Sequence, residues 1–153
     1  MMTKMNDIAK NAVIGKYFTL AEMCASATAT AKGFANNPSA DEVECLRLLC
    51  ANVLDPLREA MGTPIYISSG YRCQALNKAV GGVTNSQHVK GQAADINIRG
   101  DIMFGKRVFN YIKGHLPFDQ LIWEHTKAGV YWVHVSFNAN NNRRQVIDNL
   151  TKS

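Results

Sequence analysis

The sequence of 153 residues lacks the patterns that mark several common protein classes. No apolar run approaches the roughly 20 residues that a helix needs to span a bilayer, so we predict no transmembrane segment. Residues 1–16 contain no continuous apolar stretch followed by a small-residue cleavage site, so we predict no secretory signal and expect synthesis to end in the cytoplasm. No basic run is interleaved with aromatic residues, which argues against a nucleic-acid-binding protein.

The cysteines also lack a diagnostic pattern. They number four and form no CxxC pair, which excludes zinc-finger and thioredoxin-like motifs. Without a predicted signal peptide, we expect them to be reduced and mostly buried. They are Cys24, Cys45, Cys50 and Cys73.

The composition indicates a single folded domain. Hydrophobic residues make up 46% of the chain and charged residues 19%, which is typical of a globular protein. We predict one domain over residues 1–153, with its core in about 17–137 and a peripheral tail in 138–153, and we expect a monomer. The net charge of +5 favours an anionic partner such as a membrane surface or a cell-wall polymer. The alternative is that most of these cations are ordinary solvated surface.

Helices are predicted in the first half of the chain. The capping-box patterns Thr19-Leu20-Ala21-Glu22 and Ser39-Ala40-Asp41-Glu42 each predict a helix start, the first leading a short helix to about residue 28. Apolar residues then recur every three or four positions up to Gly62, which predicts one long helix. The pair Asp55-Pro56 predicts either a kink or a restart with Asp55 as N-cap.

Strand patterns dominate the second half. We predict strands at 64–68, 93–98, 118–124 and 130–137, the last two as an antiparallel hairpin, and helices at 72–80 and 101–113. Helices that precede a small, mostly antiparallel sheet define the α+β class, which is the predicted fold.

Two histidines and one aspartate suggest a metal site. His88 and Asp95 lie seven positions apart beside a glycine-bearing loop, and His134 lies between valines in a predicted strand. Two imidazoles and one carboxylate suit a catalytic zinc ion, which keeps three protein ligands and one open position. The alternative is ordinary structure, since a histidine flanked by valines is often a half-buried residue and the loop could be simple turn chemistry.

The motifs around these residues resemble a known family. They are Ser69-Gly70-Tyr71-Arg72, Leu76-Asn77, Val80-Gly81-Gly82, Ser86-x-His88-x-x-Gly91-x-Ala93-x-Asp95 and Trp132-x-His134-x-Ser136. Together they resemble the M15 peptidases, which are zinc D-Ala-D-Ala carboxypeptidases and related peptidoglycan endopeptidases. Two earlier segments resemble the small phage-type members: Phe18-Thr19-Leu20 and Val53-Leu54-Asp55-Pro56-Leu57-Arg58. The likeness therefore covers nearly the whole chain up to about Phe137.

The resemblance implies roles for particular residues. It implies a hedgehog/DD-peptidase-like fold in which His88, Asp95 and His134 bind one zinc ion. It implies that Arg72 orients the substrate or stabilises an oxyanion. Tyr71 and Ser86 in the same motifs are expected to contact the substrate.

The general base cannot be transferred from the family pattern. Several members have a Glu three residues before the last histidine ligand or a His two before it, where this chain has Tyr131 and Trp132. The nearest candidate is Glu124, which a short hairpin turn would place beside Tyr131 or Trp132. The alternative is a solvated glutamate at the end of the hairpin.

The resemblance implies a zinc metallopeptidase that hydrolyses peptidoglycan stem peptides, either as an endolysin or as a DD-carboxypeptidase. Such an enzyme would reach the wall after a phage partner permeabilises the membrane. One alternative is a non-catalytic, zinc-stabilised module of a phage particle, because the usual Glu or His before His134 is absent. A second alternative is a cytosolic D,D-dipeptidase.

Overall fold

Short helices and a mixed sheet make up residues 12–149, the part of the chain that the computed structural model describes. The helices are α1 (Leu20–Cys24), α2 (Ala27–Lys32), α3 (Ala40–Leu49), α4 (Asp55–Met61), α5 (Gln74–Ala79) and α6 (Ile102–His115), with a π-helical turn at Cys50–Leu54 and a 3₁₀ turn at Gln87–Lys90. The strands are β1 (Tyr66–Ser69), β2 (Ala93–Asn97), β3 (Gln120–His125), β4 (Tyr131–Ser136) and β5 (Gln145–Asp148). No helix in this part of the chain is both long and apolar enough to cross a membrane.

The strands form one sheet in the order β1-β2-β4-β3-β5. All neighbours pair antiparallel except β3 and β5, which are parallel. The predicted hairpin is confirmed as β3–β4, and the α+β class is confirmed as well.

One face of the sheet packs against helices and the other carries polar residues. Leu121 and Trp123 of β3, and Val133 and Val135 of β4, are at most 2% exposed and belong to the core. The residues between them are less buried, because successive side chains of a strand point to opposite faces. Helix α6 approaches this packed face closely, since a Cβ at Gly105 would collide with the Trp123 ring.

The long helix predicted through Asp55-Pro56 is continuous but locally widened. The π-helical turn precedes Pro56, and the Asp55 N–H donates to the Cys50 carbonyl. A wider turn just before proline accommodates the residue that has no N–H of its own. Asp55 is not an N-cap; its carboxylate accepts the backbone N–H groups of Lys16 and Tyr17.

Two other segments differ from their predictions. The single short helix expected at about 20–28 is wrong: α1 ends at Cys24, and Ser26 caps the separate helix α2 by accepting the Ala29 N–H. Part of the predicted tail 138–153 forms the edge strand β5, while residues 150–153 lie outside the described part of the chain. No disulfide joins the four cysteines, all of which lie in the described part of the chain; Cys24 and Cys50 are buried as expected, whereas Cys45 and Cys73 are only partly buried.

Candidate metal centre

The three predicted metal ligands lie together on the polar face of the sheet. Asp95 and His134 are directly opposite each other on the central strands β2 and β4, and His88 approaches from the 3₁₀ turn that precedes β2. The Asp95 Oδ1 atom lies 3.3 Å from His88 Nε2 and 3.0 Å from His134 Nδ1. One potential ligand atom from each residue lies within 4.8 Å of the other two.

His88 is held in one orientation by its backbone surroundings. Its Nδ1 lies 2.7 Å from the Gly70 carbonyl oxygen, which can only accept, so Nδ1 carries a proton and Nε2 is the ring nitrogen that faces Asp95. A carbonyl partner on the second ring nitrogen is the usual support for a metal-binding histidine. Gly70 is required here because a Cβ at this position would collide with the Met23 backbone.

Asp95 is a buried carboxylate, 8% exposed. Burial alone raises the pKa of Asp95, but hydrogen bonds from His134 and His88 outweigh it and hold the pKa well below the usual range. The group is therefore an anion at any physiological pH. Since a buried anion is costly without compensating partners, this position is well suited to a cation.

The donor set fits zinc. Two imidazole nitrogens and one carboxylate oxygen are acceptable zinc ligands, and three protein ligands are the number typical of catalytic zinc sites. His88 Nε2 and His134 Nδ1 both face Asp95, so the three donors converge on one region. His88, Asp95 and His134 could therefore hold a metal ion.

Arg72 lies beside this group and is clamped from several sides. Its Nη2 lies 3.4 Å from Asp95 Oδ2, its Nε donates to Ser69 Oγ at 3.0 Å and its Nη1 donates to Asn77 Oδ1 at 3.2 Å. Burial lowers the pKa of Arg72, while Asp95 raises it. Gly82 completes the clamp, because a Cβ there would collide with the Asn77 side chain and lie 3.1 Å from Arg72 Nη1.

Glu124 lies on the same face of the sheet as the predicted ligands. It is directly opposite Trp132, while Ile122 is opposite His134. Glu124 is thus a diagonal neighbour of His134, at a typical Cα spacing of roughly 7–8 Å. Tyr131, by contrast, points to the helix-packed face, where its ring lies 5.9 Å from that of Trp123.

The two remaining predicted site residues have structural contacts. Ser86 Oγ accepts the His88 N–H at 3.2 Å and so caps the 3₁₀ turn that carries this histidine. Tyr71 is 6% exposed and belongs to the core cluster. Burial, with Glu42 nearby, raises the pKa of the Tyr71 hydroxyl. Its side chain is packed inside rather than presented to a substrate.

Asp119 supports the site in a way that the sequence analysis did not predict. It is 3% exposed, and its carboxylate accepts from Gln87 Nε2 at 2.9 Å and from Arg143 N, Nε and Nη2 at 2.8–3.0 Å. The bond to Gln87 ties β3 to the residue that precedes His88. The sequence does not indicate this role, because Asp119 is a single acidic residue before a predicted strand and its partner Arg143 lies 24 residues away in the Asn/Arg-rich tail.

Comparison with known proteins gives one family. Residues 16–136 match the family model described as Peptidase M15, and this range includes His88, Asp95, His134, Arg72 and Glu124. A search of curated proteins finds no match.

Proposed function

Because the chain belongs to the peptidase M15 family, we propose that it is a zinc-dependent peptidase that hydrolyses peptide bonds in peptidoglycan stem peptides, as an endolysin or a DD-carboxypeptidase. The observation that carries the proposal is the convergence of His88, Asp95 and His134 beside the clamped Arg72 on one sheet face.

In this proposal the zinc ion would be held by His88 Nε2, His134 Nδ1 and one Asp95 oxygen. When bound there, zinc would act as a Lewis acid that activates water and polarises a carbonyl group. Gly70 keeps His88 in the correct tautomer, and Ser86 fixes the turn that carries it. Asp95 supplies the negative charge of the ligand set.

Glu124 is the proposed proton acceptor. Glu124 is half-buried and lies on the ligand face, one residue pair away from His134. A carboxylate at this place can take the proton of an attacking water and pass it to the leaving amine. Asp119 is a less suitable base, because Arg143 and Gln87 already occupy both of its oxygens.

Arg72 is proposed to bind a carbonyl or carboxylate oxygen of the substrate. Its guanidinium is positively charged at any working pH, and contacts with Ser69 and Asn77 limit its rotation. A cation held in place before the reaction stabilises developing negative charge better than a mobile one. Ser86 remains a predicted substrate contact, whereas the burial of Tyr71 leads us to omit it from the proposed set.

Peptidoglycan is proposed as the substrate because of charge and family resemblance. Stem peptides carry carboxylates, and the chain has a net charge of +5. The same resemblance motivates the proposal of a phage-type lysin that acts on the cell wall as a monomer.

The test is digestion of purified peptidoglycan, with released peptides identified by mass spectrometry, with and without a zinc chelator. Glu124→Gln should lower the rate by about 10²–10⁴-fold while zinc content stays unchanged. Glu44→Gln, which neutralises an exposed glutamate on α3, is the matched control and should not alter the rate. Absence of zinc-dependent products from walls of several chemotypes would refute the proposal.

A second candidate is a non-catalytic, zinc-stabilised module. The observation that favours it is the occupation of the two usual acid–base positions by Tyr131 and Trp132. This candidate predicts that the wild-type protein binds zinc but releases no peptides, and that Glu124→Gln changes nothing.

A further inference from the structure

The polar face of the sheet is covered on one side of the metal ligands and open on the other. Ala93 and Ser136, which are paired on β2 and β4 next to Asp95 and His134, are both fully buried. The 3₁₀ turn meets the start of β3 on this side, where Gln87 Nε2 donates to Oδ2 of Asp119, the residue before β3. A long substrate therefore has to leave the ligand group in the opposite direction.

The open side is a row of four cross-strand partners. Tyr66 pairs with Asn97, Asn97 with Trp132, and Trp132 with Glu124, so the four side chains lie next to one another on the ligand face. Tyr66 is 46% exposed and Asn97 is also exposed. We call these four residues the open row. It starts at Glu124, the proposed base, and ends at Tyr66 on the edge strand β1.

An arginine is fixed at the far end of the open row. The Arg99 guanidinium carbon lies 4.6 Å from the centre of the Tyr66 ring. Its backbone is in the left-handed region with φ of 55°, and its N–H donates to Asn97 Oδ1 at 2.8 Å. Non-glycine residues adopt this conformation only at a cost, which is often met at binding sites.

The guanidinium of Arg99 contacts the ring of Tyr66. Within residues 12–149 its side chain makes no hydrogen bond or ion pair, so its N–H edge remains available while its face stacks on Tyr66. The groove beside it has a volume of about 420 Å³ and includes Tyr66, Asn97, Arg99 and Asp101 among its lining residues. Among the described residues Asp101 makes no ion pair with Arg99; its Oδ1 atom caps α6 by accepting the Phe104 N–H.

We propose that Arg99, stacked on Tyr66, is a subsite for a carboxylate of the peptide substrate, remote from the bond that is cleaved. A guanidinium edge matches a carboxylate with two parallel hydrogen bonds. Tyr66 lies two residues along and one strand across from Asp95, a displacement of roughly 8 Å. An extended peptide covers this distance in about two to three residues. The inference rests on the proposed peptidase function.

The test compares binding of a synthetic stem peptide that has every carboxyl group free with matched peptides in which one carboxyl group is amidated. Titration calorimetry on zinc-loaded Glu124→Gln protein measures affinity without hydrolysis. Arg99→Gln should bind the free peptide at least about tenfold more weakly, because a tenfold loss already corresponds to one of the two charge-assisted hydrogen bonds at a partly exposed site. When the carboxyl group that contacts Arg99 is the amidated one, the peptide should bind the protein that retains Arg99 about tenfold more weakly than the free peptide does. Arg99→Gln should not weaken the binding of this amidated peptide any further.

Two further variants separate this contact from general charge and from folding. Arg107→Gln removes the same charge from an exposed position on α6 and should leave the affinity unchanged. Tyr66→Phe should keep the discrimination between peptides, whereas Tyr66→Leu should reduce it because the stacking surface is lost. Thermal unfolding of each variant checks that the fold is retained.

The outcomes distinguish this inference from the proposed function. Three results would overturn the carboxylate subsite, even if zinc-dependent hydrolysis is observed. They are an equal loss of affinity for all peptides on Arg99→Gln, no loss of affinity on Arg99→Gln, and no binding of the free peptide. Discrimination that depends on Arg99 in a protein that hydrolyses nothing would support the subsite and refute the peptidase proposal. In an active enzyme, Arg99→Gln should raise KM about tenfold with little change in kcat.

Discussion

Substitution of Asp119 by asparagine should destabilise the protein strongly although the change is isosteric. Each carboxylate oxygen accepts two hydrogen bonds: Oδ1 from Arg143 N and Nε, and Oδ2 from Gln87 Nε2 and Arg143 Nη2. Whichever way the asparagine amide turns, its NH₂ group replaces one of these oxygens and faces two donors. At about 1.5 kcal/mol for each bond to a charged acceptor, the expected loss is about 3 kcal/mol.

Thermal and urea unfolding measure this loss. In a domain of this size, about 3 kcal/mol corresponds to a fall in the melting temperature of roughly 6–12 °C. Glu44→Gln, which removes an exposed charge from α3, is the control and should change stability by less than about 0.5 kcal/mol. A decrease for Asp119→Asn no larger than that of the control would refute the reasoning.

The pH dependence provides an independent check. Hydrogen bonds from Arg143 outweigh burial and lower the pKa of Asp119 in the folded protein. The unfolded value is about 3.9, so the native state gains stability from the ionised group above that pH and loses it as the pH falls towards the folded value. The difference between wild type and Asp119→Asn should therefore shrink below about pH 4. A difference that is constant from pH 7 to pH 3 would contradict this assignment.

Three other predictions follow from the same contacts. Gly105→Ala should destabilise the protein by about 2 kcal/mol in urea unfolding, because the new Cβ collides with Trp123. Gly114→Ala in the same helix is the control: a Cβ there has no atom within 4 Å, so the change should be neutral or stabilising by up to about 1 kcal/mol. Arg72→Lys should lower kcat/KM at least about tenfold in a peptide-release assay, because an ammonium group cannot keep the contacts with both Ser69 and Asn77; an unchanged rate would argue against its role. A chelator should lower the melting temperature by about 10 °C while unfolding stays cooperative, and added zinc should restore it; no shift would indicate that zinc does not bind.

Much of the fold followed from local patterns. Capping boxes at Thr19 and Ser39 mark real helix starts, and the hairpin follows from two β-rich runs around Gly129. The short turn predicted Tyr131 or Trp132 as the partner of Glu124, because pairing within a hairpin is set by loop length, and the partner is Trp132.

The features that were missed depend on distant contacts. Strand β5 forms in an unremarkable four-residue segment because β3 offers a free edge for parallel pairing. Tyr71 lies in a motif that resembles a substrate site, yet its burial results from packing beside Met23 and Glu42, more than 25 residues away. The role of Asp119 likewise required knowledge of where Arg143 lies. Sequence periodicity contains no information about such pairings.

The sheet order separates two of the proposed metal ligands from residues that are proposed to contact the substrate. Asp95 and His134 are on the adjacent strands β2 and β4, and β4 is the middle strand of the five. Tyr66 and the proposed base Glu124 are on the flanking strands β1 and β3. Changes on the flanking strands can therefore alter which peptide is bound while the ligand geometry is preserved. For this reason we expect substitutions at Tyr66 to change peptide affinity without changing zinc content, whereas substitutions at His134 should change both.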